Sequence, residues 1–121
     1  MGFGSTGHQK GSTILRGQNN EFVAAQFFAE KGYYLLRHHW LTPWAEVDLV
    51  MAHPSNNEVL IVEVKSRWGG RLLSASQMAR LQRAFVAIRA RTPVNWDVCF
   101  RVAVVDRKRV AELLEFADLC R

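Results

Sequence analysis

A chain of 121 residues, 49% apolar and 22% charged, has the size and balance of one globular domain around a single hydrophobic core. Its net charge of +5 favours polyanionic partners over an acidic protein substrate. No apolar run approaches the ~20 residues that span a bilayer, none forms the apolar core of a signal peptide, and Cys99 and Cys120 are too few for a disulfide framework, so no membrane partner and a reducing, cytoplasmic setting are expected.

Residues 1–18 carry five glycines with Ser5, Thr6, Ser12 and Thr13 and hold no apolar period. They are expected to form a flexible tail, leaving 19–121 as the folded domain. Asn19 or Asn20 suits the N-cap of a helix running to about Lys31, with Glu21 in its first turn, Val23, Ala24, Phe27 and Phe28 on its buried stripe, and Gly32 just past its end. Tyr33–Trp40 is rich in aromatic and aliphatic residues and predicts a first strand. Pro43 punctuates, and a second strand follows from about Ala45 to Ala52. His53-Pro-Ser-Asn-Asn57 is a turn cluster, and Glu58–Ser66 predicts a third strand whose continuous Val, Leu and Ile centre marks it as covered on both faces.

After Gly69 and Gly70, Ser74 or Ser76 can cap a helix to about Ala90, with Met78, Leu81, Phe85 and Ile88 on one face. Pro93 stops it, and Trp96–Asp106 predicts a fourth strand, parallel to the third because a helix bridges them. Val110, Leu113, Leu114 and Ala117 predict a short helix over 110–119. The sum is an α/β fold of α-β-β-β-α-β order, a mixed central sheet flanked by helices.

Two acidic segments carry the chemistry: Glu46-Val-Asp48-Leu-Val and Glu63-Val-Lys65. Strand side chains alternate, so Glu46 and Asp48 point the same way, and Glu63 and Lys65 also share a face. The turn at 53–57 folds the second strand back on the third, which sets Asp48 beside Glu63 with Lys65 next to them. Two carboxylates and a lysine at one point can hold Mg²⁺ and activate water against a phosphodiester. A structural ion pair is the bland alternative for Glu63 and Lys65, and an acid favourable to the helix dipole is the alternative for Glu21. Glu46 lies at the start of its strand. Lys65, Arg67, Arg71, Arg80 and Arg83 fall within or just after the second acidic segment, where they would draw phosphates toward it. Gln77 and Arg80, one helical turn apart, are candidate phosphate contacts, although a solvated basic face explains Arg80 and Arg83 equally well. His38 and His39 are adjacent in a strand, so alternation sets them on opposite faces and argues against one shared ion. Trp40 and Trp44 suit core packing or loop anchoring better than base stacking.

The order of elements, with Glu21, Asp48 and Glu63-Val-Lys65, resembles the restriction-endonuclease-like superfamily and its PD-(D/E)xK signature. Within it, Asn20-Glu-Phe-Val-Ala-Ala25, Lys31-Gly-Tyr33, Ala45-Glu-Val-Asp-Leu-Val50 and Val62-Glu-Val-Lys-Ser-Arg67 resemble the YraN-like family, small bacterial proteins similar to Holliday-junction resolvases. The resemblance covers roughly residues 17 to 105. It implies a metal-dependent nuclease acting on DNA, selective for junctions or branches, with Asp48 and Glu63 binding Mg²⁺ or Mn²⁺, Glu21 as a further ligand and Lys65 positioning the attacking water. Products would carry 5′ phosphates, and cutting both strands of a junction would call for a homodimer. Arg67, Gln77, Arg80 and Arg83 would hold the nucleic acid. Ala45 stands where the family usually has glycine, Gln77 near a usual lysine, and Arg101-Val-Ala103 in place of Arg-Phe-Asp. The last two departures leave open a catalytically inactive nucleic-acid-binding module of the same fold.

Overall fold

Two helices and five strands organise residues 12–66 and 73–116, which the computed structural model describes, with side chains from residue 19 onward. In chain order they are α1 (Ser12–Ala29), β1 (Tyr34–Leu41), β2 (Glu46–His53), β3 (Glu58–Ser66), α2 (Ala75–Arg91), β4 (Asp97–Asp106) and β5 (Arg109–Leu114). The strands lie in the order β1-β2-β3-β4-β5. β3 pairs parallel with β4, and the other neighbours pair antiparallel. The expected α-β-β-β-α-β order and mixed sheet are both present.

β3 is buried from Val59 to Glu63, as a strand sandwiched between two helical layers must be. On one face Leu49, Met51, Leu60 and Val62 pack against Ala24, Ala25 and Phe28 of α1. On the other, Val50, Val59, Ile61 and Phe100 pack against Leu81, Ala84 and Ile88 of α2. The two small alanines of α1 let that helix approach the sheet closely, which explains why Ala25 is buried where the periodicity favoured Phe27.

Two expectations are corrected. α1 starts at Ser12, so Asn19 and Asn20 are helix interior and not its cap. Asparagine disfavours a helix only by tenths of a kcal/mol up to ~0.7, too little to stop propagation of a formed helix. The expected tail therefore overlaps α1 over 12–18, and its remainder, 1–11, lies outside the described residues. The helix expected over 110–119 is instead, through Leu114, strand β5, antiparallel to β4. A two-residue turn makes that hairpin: Arg107 (φ 53°) and Lys108 (φ 64°) are both left-handed. Such turns usually announce themselves by Asn-Gly or Asp-Gly, and Arg-Lys gives no such signal.

The end of α1 follows expectation. Gly32 adopts φ 98°, the N–H of Tyr33 donates to the Phe28 carbonyl (3.1 Å) and that of Gly32 to the Ala29 carbonyl (3.1 Å). This is the glycine-terminated helix end that satisfies otherwise orphaned carbonyls. α2 opens with a reciprocal cap: Gln77 N–H donates to Ser74 Oγ, and Ser74 N–H to Gln77 Oε1, each 3.1 Å.

Candidate active site

The β2–β3 ladder ends at Leu49↔Val62, one residue short of Asp48 and Glu63. β3 stays paired with β4 as far as Ser66↔Val105. Beyond Leu49, therefore, β2 peels away from a strand that its other neighbour still holds. The Val64 N–H left without a β2 carbonyl donates to Asp48 Oδ2 at 2.8 Å. Peeling opens a crevice of about 260 Å³ on the α2 side of the sheet, lined by Trp44, Glu46, Asp48, Glu63, Gln77 and Arg80 among others. The structure brings Asp48 and Glu63 to one crevice, as the turn at 53–57 leads one to expect, and Glu46, expected on the Asp48 face at the strand's start, lines it too. Lys65 Nζ stands 3.8 Å from Glu63 Oε2.

The pair is electrostatically uncomfortable. Burial raises Asp48 most, the Val64 N–H lowers it, Glu21 raises it and Lys65 and His39 lower it, leaving it pushed up to about 6. Glu63 is raised by burial, then by the charge of Asp48, against a lowering by Lys65, and is pushed up to about 8. Desolvation and like-charge proximity are the two causes that keep carboxyl groups neutral. Glu63 Oε1 is buried with no hydrogen-bond partner. An orphaned buried carboxylate oxygen beside a second buried carboxylate is a donor set that fits a hard divalent cation, which would neutralise both charges and satisfy that oxygen.

The first turns of α2 form the opposite wall. Arg80 lines the crevice and is steadied by Ser76, its Nη2 donating to Ser76 Oγ at 2.9 Å. Gln77 also faces it, but its carbonyl oxygen serves the helix cap. The cap explains why glutamine is well suited here on structural grounds alone. Arg83 is not brought to the crevice; it borders an outer apolar strip of α2 with Trp44, Val86 and Ala90. Arg67 and Arg71 lie outside the described residues. Ala103, the other departure, is wholly buried in the apolar cluster against α1.

Two features escaped the sequence. Thr42 Oγ1 donates to the Ala45 carbonyl (2.7 Å) and accepts from the N–H groups of Trp44 and Ala45, making a tight turn. That turn holds Trp44 at the rim, 37% exposed, while Trp40 packs into the core as expected. The expectation that His38 and His39 face apart fails. His39 has φ 51°, which breaks strand alternation, and the two rings stack with centroids 4.2 Å apart. Both meet Glu21: its Oε1 lies 2.8 Å from His38 Nε2 and 2.5 Å from His39 Nε2. Burial lowers the His39 imidazole, but Glu21, followed by Glu46 and Asp48, outweighs it and the net shift is upward. A positive φ at a histidine leaves little trace in a single sequence, since nothing nearby demands it.

Residues 20–105 match the model of uncharacterised protein family UPF0102. A UPF0102 protein of Parasynechococcus marenigrum (strain WH8102) is 34% identical over 92 residues, spanning 73% of this chain and 67% of the relative. One from Ruegeria pomeroyi (strain ATCC 700808 / DSM 15171 / DSS-3) is 35% identical over 109 residues, 85% of this chain and 87% of the relative. Another, from Synechococcus sp. (strain JA-3-3Ab), is 32% identical over 110 residues, covering 84% and 81% respectively. With most of its folded length matched, acidic segments included, the chain belongs to the UPF0102 family, the YraN-like proteins that its motifs resemble.

Proposed function

We propose that this protein is a metal-dependent nuclease that hydrolyses DNA phosphodiester bonds, preferring branched or junction structures. The observation that carries the reading is the convergence of Asp48 and Glu63 where β2 leaves β3, with one carboxylate oxygen of Glu63 buried and unpartnered. Asp48 and Glu63 would hold Mg²⁺ or Mn²⁺, which when bound supplies a Lewis acid that stabilises charge on the phosphate. Glu21 acts on both carboxylates through its negative charge, while its Oε1 is engaged by His38 and His39.

The remaining work belongs to the protein's own groups. The Val64 N–H fixes the Asp48 carboxylate. Lys65, beside Glu63, orients the attacking water and opposes the negative charge of the phosphate. Arg80, on the facing wall, orients the phosphate as a planar donor. Trp44 at the rim offers a face on which an unpaired base can stack, favouring branched or frayed DNA over uniform duplex. The described residues contain no helix-turn-helix, so recognition by structure fits better than base readout. Paired cuts at a junction would require a homodimer.

A second reading has a specific observation in its favour. The oxygen of Gln77 is taken up by the α2 cap and Ala103 is apolar and buried, which suits a DNA-binding module without turnover. End-labelled single-stranded, duplex, flap and four-way-junction DNA, incubated with Mg²⁺, Mn²⁺ or EDTA, separates the two. Cutting that needs metal, and that Asp48→Ala and Lys65→Ala abolish while DNA affinity persists, is the expected result. Salt-sensitive binding without cleavage of any structure would support the module. Absence of both would remove DNA as the partner.

A further inference from the structure

We propose that Glu21, His38 and His39 form a binding site for a first-row transition-metal ion, distinct in its donors from the carboxylate pair of the crevice. Among the described residues this is the one place where three potential ligand atoms, one from each residue, lie within 4.8 Å of one another. The convergence is specific. Both imidazole Nε2 atoms point at the same carboxylate oxygen, Glu21 Oε1, from 2.8 and 2.5 Å. Two consecutive residues of a strand cannot do this while side chains alternate. Here they do so because His39 takes a left-handed backbone, φ 51°, a conformation that a non-glycine residue rarely adopts. The turn of the chain brings a second nitrogen onto a point that His38 alone would already serve as a hydrogen-bond partner.

Donor chemistry narrows the ion. Two imidazoles and one carboxylate suit Zn²⁺, Fe²⁺, Co²⁺ or Ni²⁺, whereas Asp48 and Glu63 offer only hard oxygens, which suit Mg²⁺ and Mn²⁺. Glu21 Oε1 is as close to each Nε2 as a hydrogen-bonded neighbour, and an ion at ~2.0–2.2 Å from each donor would part these pairs only slightly. Three protein donors leave a coordination position open for water or a phosphate oxygen. Access exists, because the side chain of His39 is 37% exposed while those of His38 and Glu21 are largely buried, at 17% and 12%. Glu21 and His39 both act on Asp48 electrostatically, so an ion held here would add positive charge beside the crevice. The inference concerns metal binding alone and stands whether or not the crevice cleaves DNA.

The test is direct binding of Zn²⁺ to the EDTA-treated 121-residue chain in competition with a chromophoric chelator, together with the visible absorption of Co²⁺ in the same site. The variants are His38→Gln, His39→Asn and the double variant Asp48→Asn/Glu63→Gln. Asparagine tolerates the left-handed backbone, so His39→Asn removes the imidazole without forcing the strand to rearrange. One equivalent of Zn²⁺ is expected. It should be retained in the double carboxylate variant and weakened at least ~10-fold in each histidine variant, the cost typical of losing even an outer partner of a metal site. Failure to bind one equivalent, loss of binding in the carboxylate variant, or unchanged affinity in either histidine variant would overturn the proposal.

Discussion

Replacing Glu63 with glutamine should make the metal-free protein more stable at alkaline pH. The side chain is buried and its carboxyl is pushed from 4.5 up to about 8, by burial first and the charge of Asp48 second. In the unfolded chain it would lose its proton near 4.5, while in the folded chain it keeps it until about 8. Between those values the native state binds one more proton than the unfolded state, so stability falls as pH rises, by ~1.4 kcal/mol per pH unit. Its favourable contribution is complete below 4.5 and gone above about 8, amounting to ~5 kcal/mol at most, a large share of a domain's usual ~5–15 kcal/mol. Glutamine keeps the shape, carries no charge and can donate to Asp48. Urea denaturation in EDTA from pH 5 to 9 should therefore show a steep decline from pH 5 to about 8 for the wild type and a shallow one for the variant. Mg²⁺ should restore wild-type stability at pH 8 and leave Glu63→Gln nearly unmoved. Parallel pH profiles for the two proteins would refute the idea that Glu63 is held protonated by its surroundings.

Three further outcomes follow from local geometry. Gly32→Ala should destabilise the fold by more than ~1 kcal/mol in urea titration, because φ 98° excludes ordinary side chains and a Cβ there would lie 2.5 Å from His53 Nε2. Ser74→Ala removes the acceptor of the Gln77 N–H and should lower the thermal midpoint by an amount equivalent to ~1 kcal/mol, with little change in metal binding. Trp44→Ala should weaken binding of flap or single-stranded DNA by ~1–3 kcal/mol in fluorescence anisotropy. Its effect on stability should be small, since the ring sits at the rim, partly exposed.

How much of this was legible in the sequence depends on whether a residue's role follows from its own periodicity. β3 was legible to the residue because Val59–Val62 is an unbroken apolar run, and its parallel pairing with β4 followed from the intervening helix. The meeting of Asp48 and Glu63 followed from period two and the turn at 53–57. A serine cap for α2 was legible at Ser74 or Ser76, and the structure places it at Ser74, with Gln77 engaged in it. β5 was missed because Val110, Leu113 and Leu114 satisfy a helical spacing, and the left-handed Arg107-Lys108 turn that makes a hairpin carries no glycine or asparagine. The histidine pair was missed for a related reason. A single inverted residue reverses a face assignment, and local propensity is blind to it.

The placement of the acidic pair has its own physical logic. On a free edge strand the two carboxylates would be solvated, easily ionised and weakly coupled, since water screens charges at ordinary separations. Glu63 instead lies in the central strand directly after Val62, which is wholly buried, and β4 holds that strand in register past the site. The backbone of Glu63 therefore has little freedom to move its carboxylate away from Asp48. Release of strain must come from β2, which has already separated, and even there Asp48 is tied to Val64 N–H. The pair can relieve its repulsion by keeping a proton or by taking a cation, and only the second lets both carboxylates ionise together. A site built this way exchanges protons for a divalent ion as pH rises, so metal affinity should increase as pH rises to about 8, while the metal-free fold weakens.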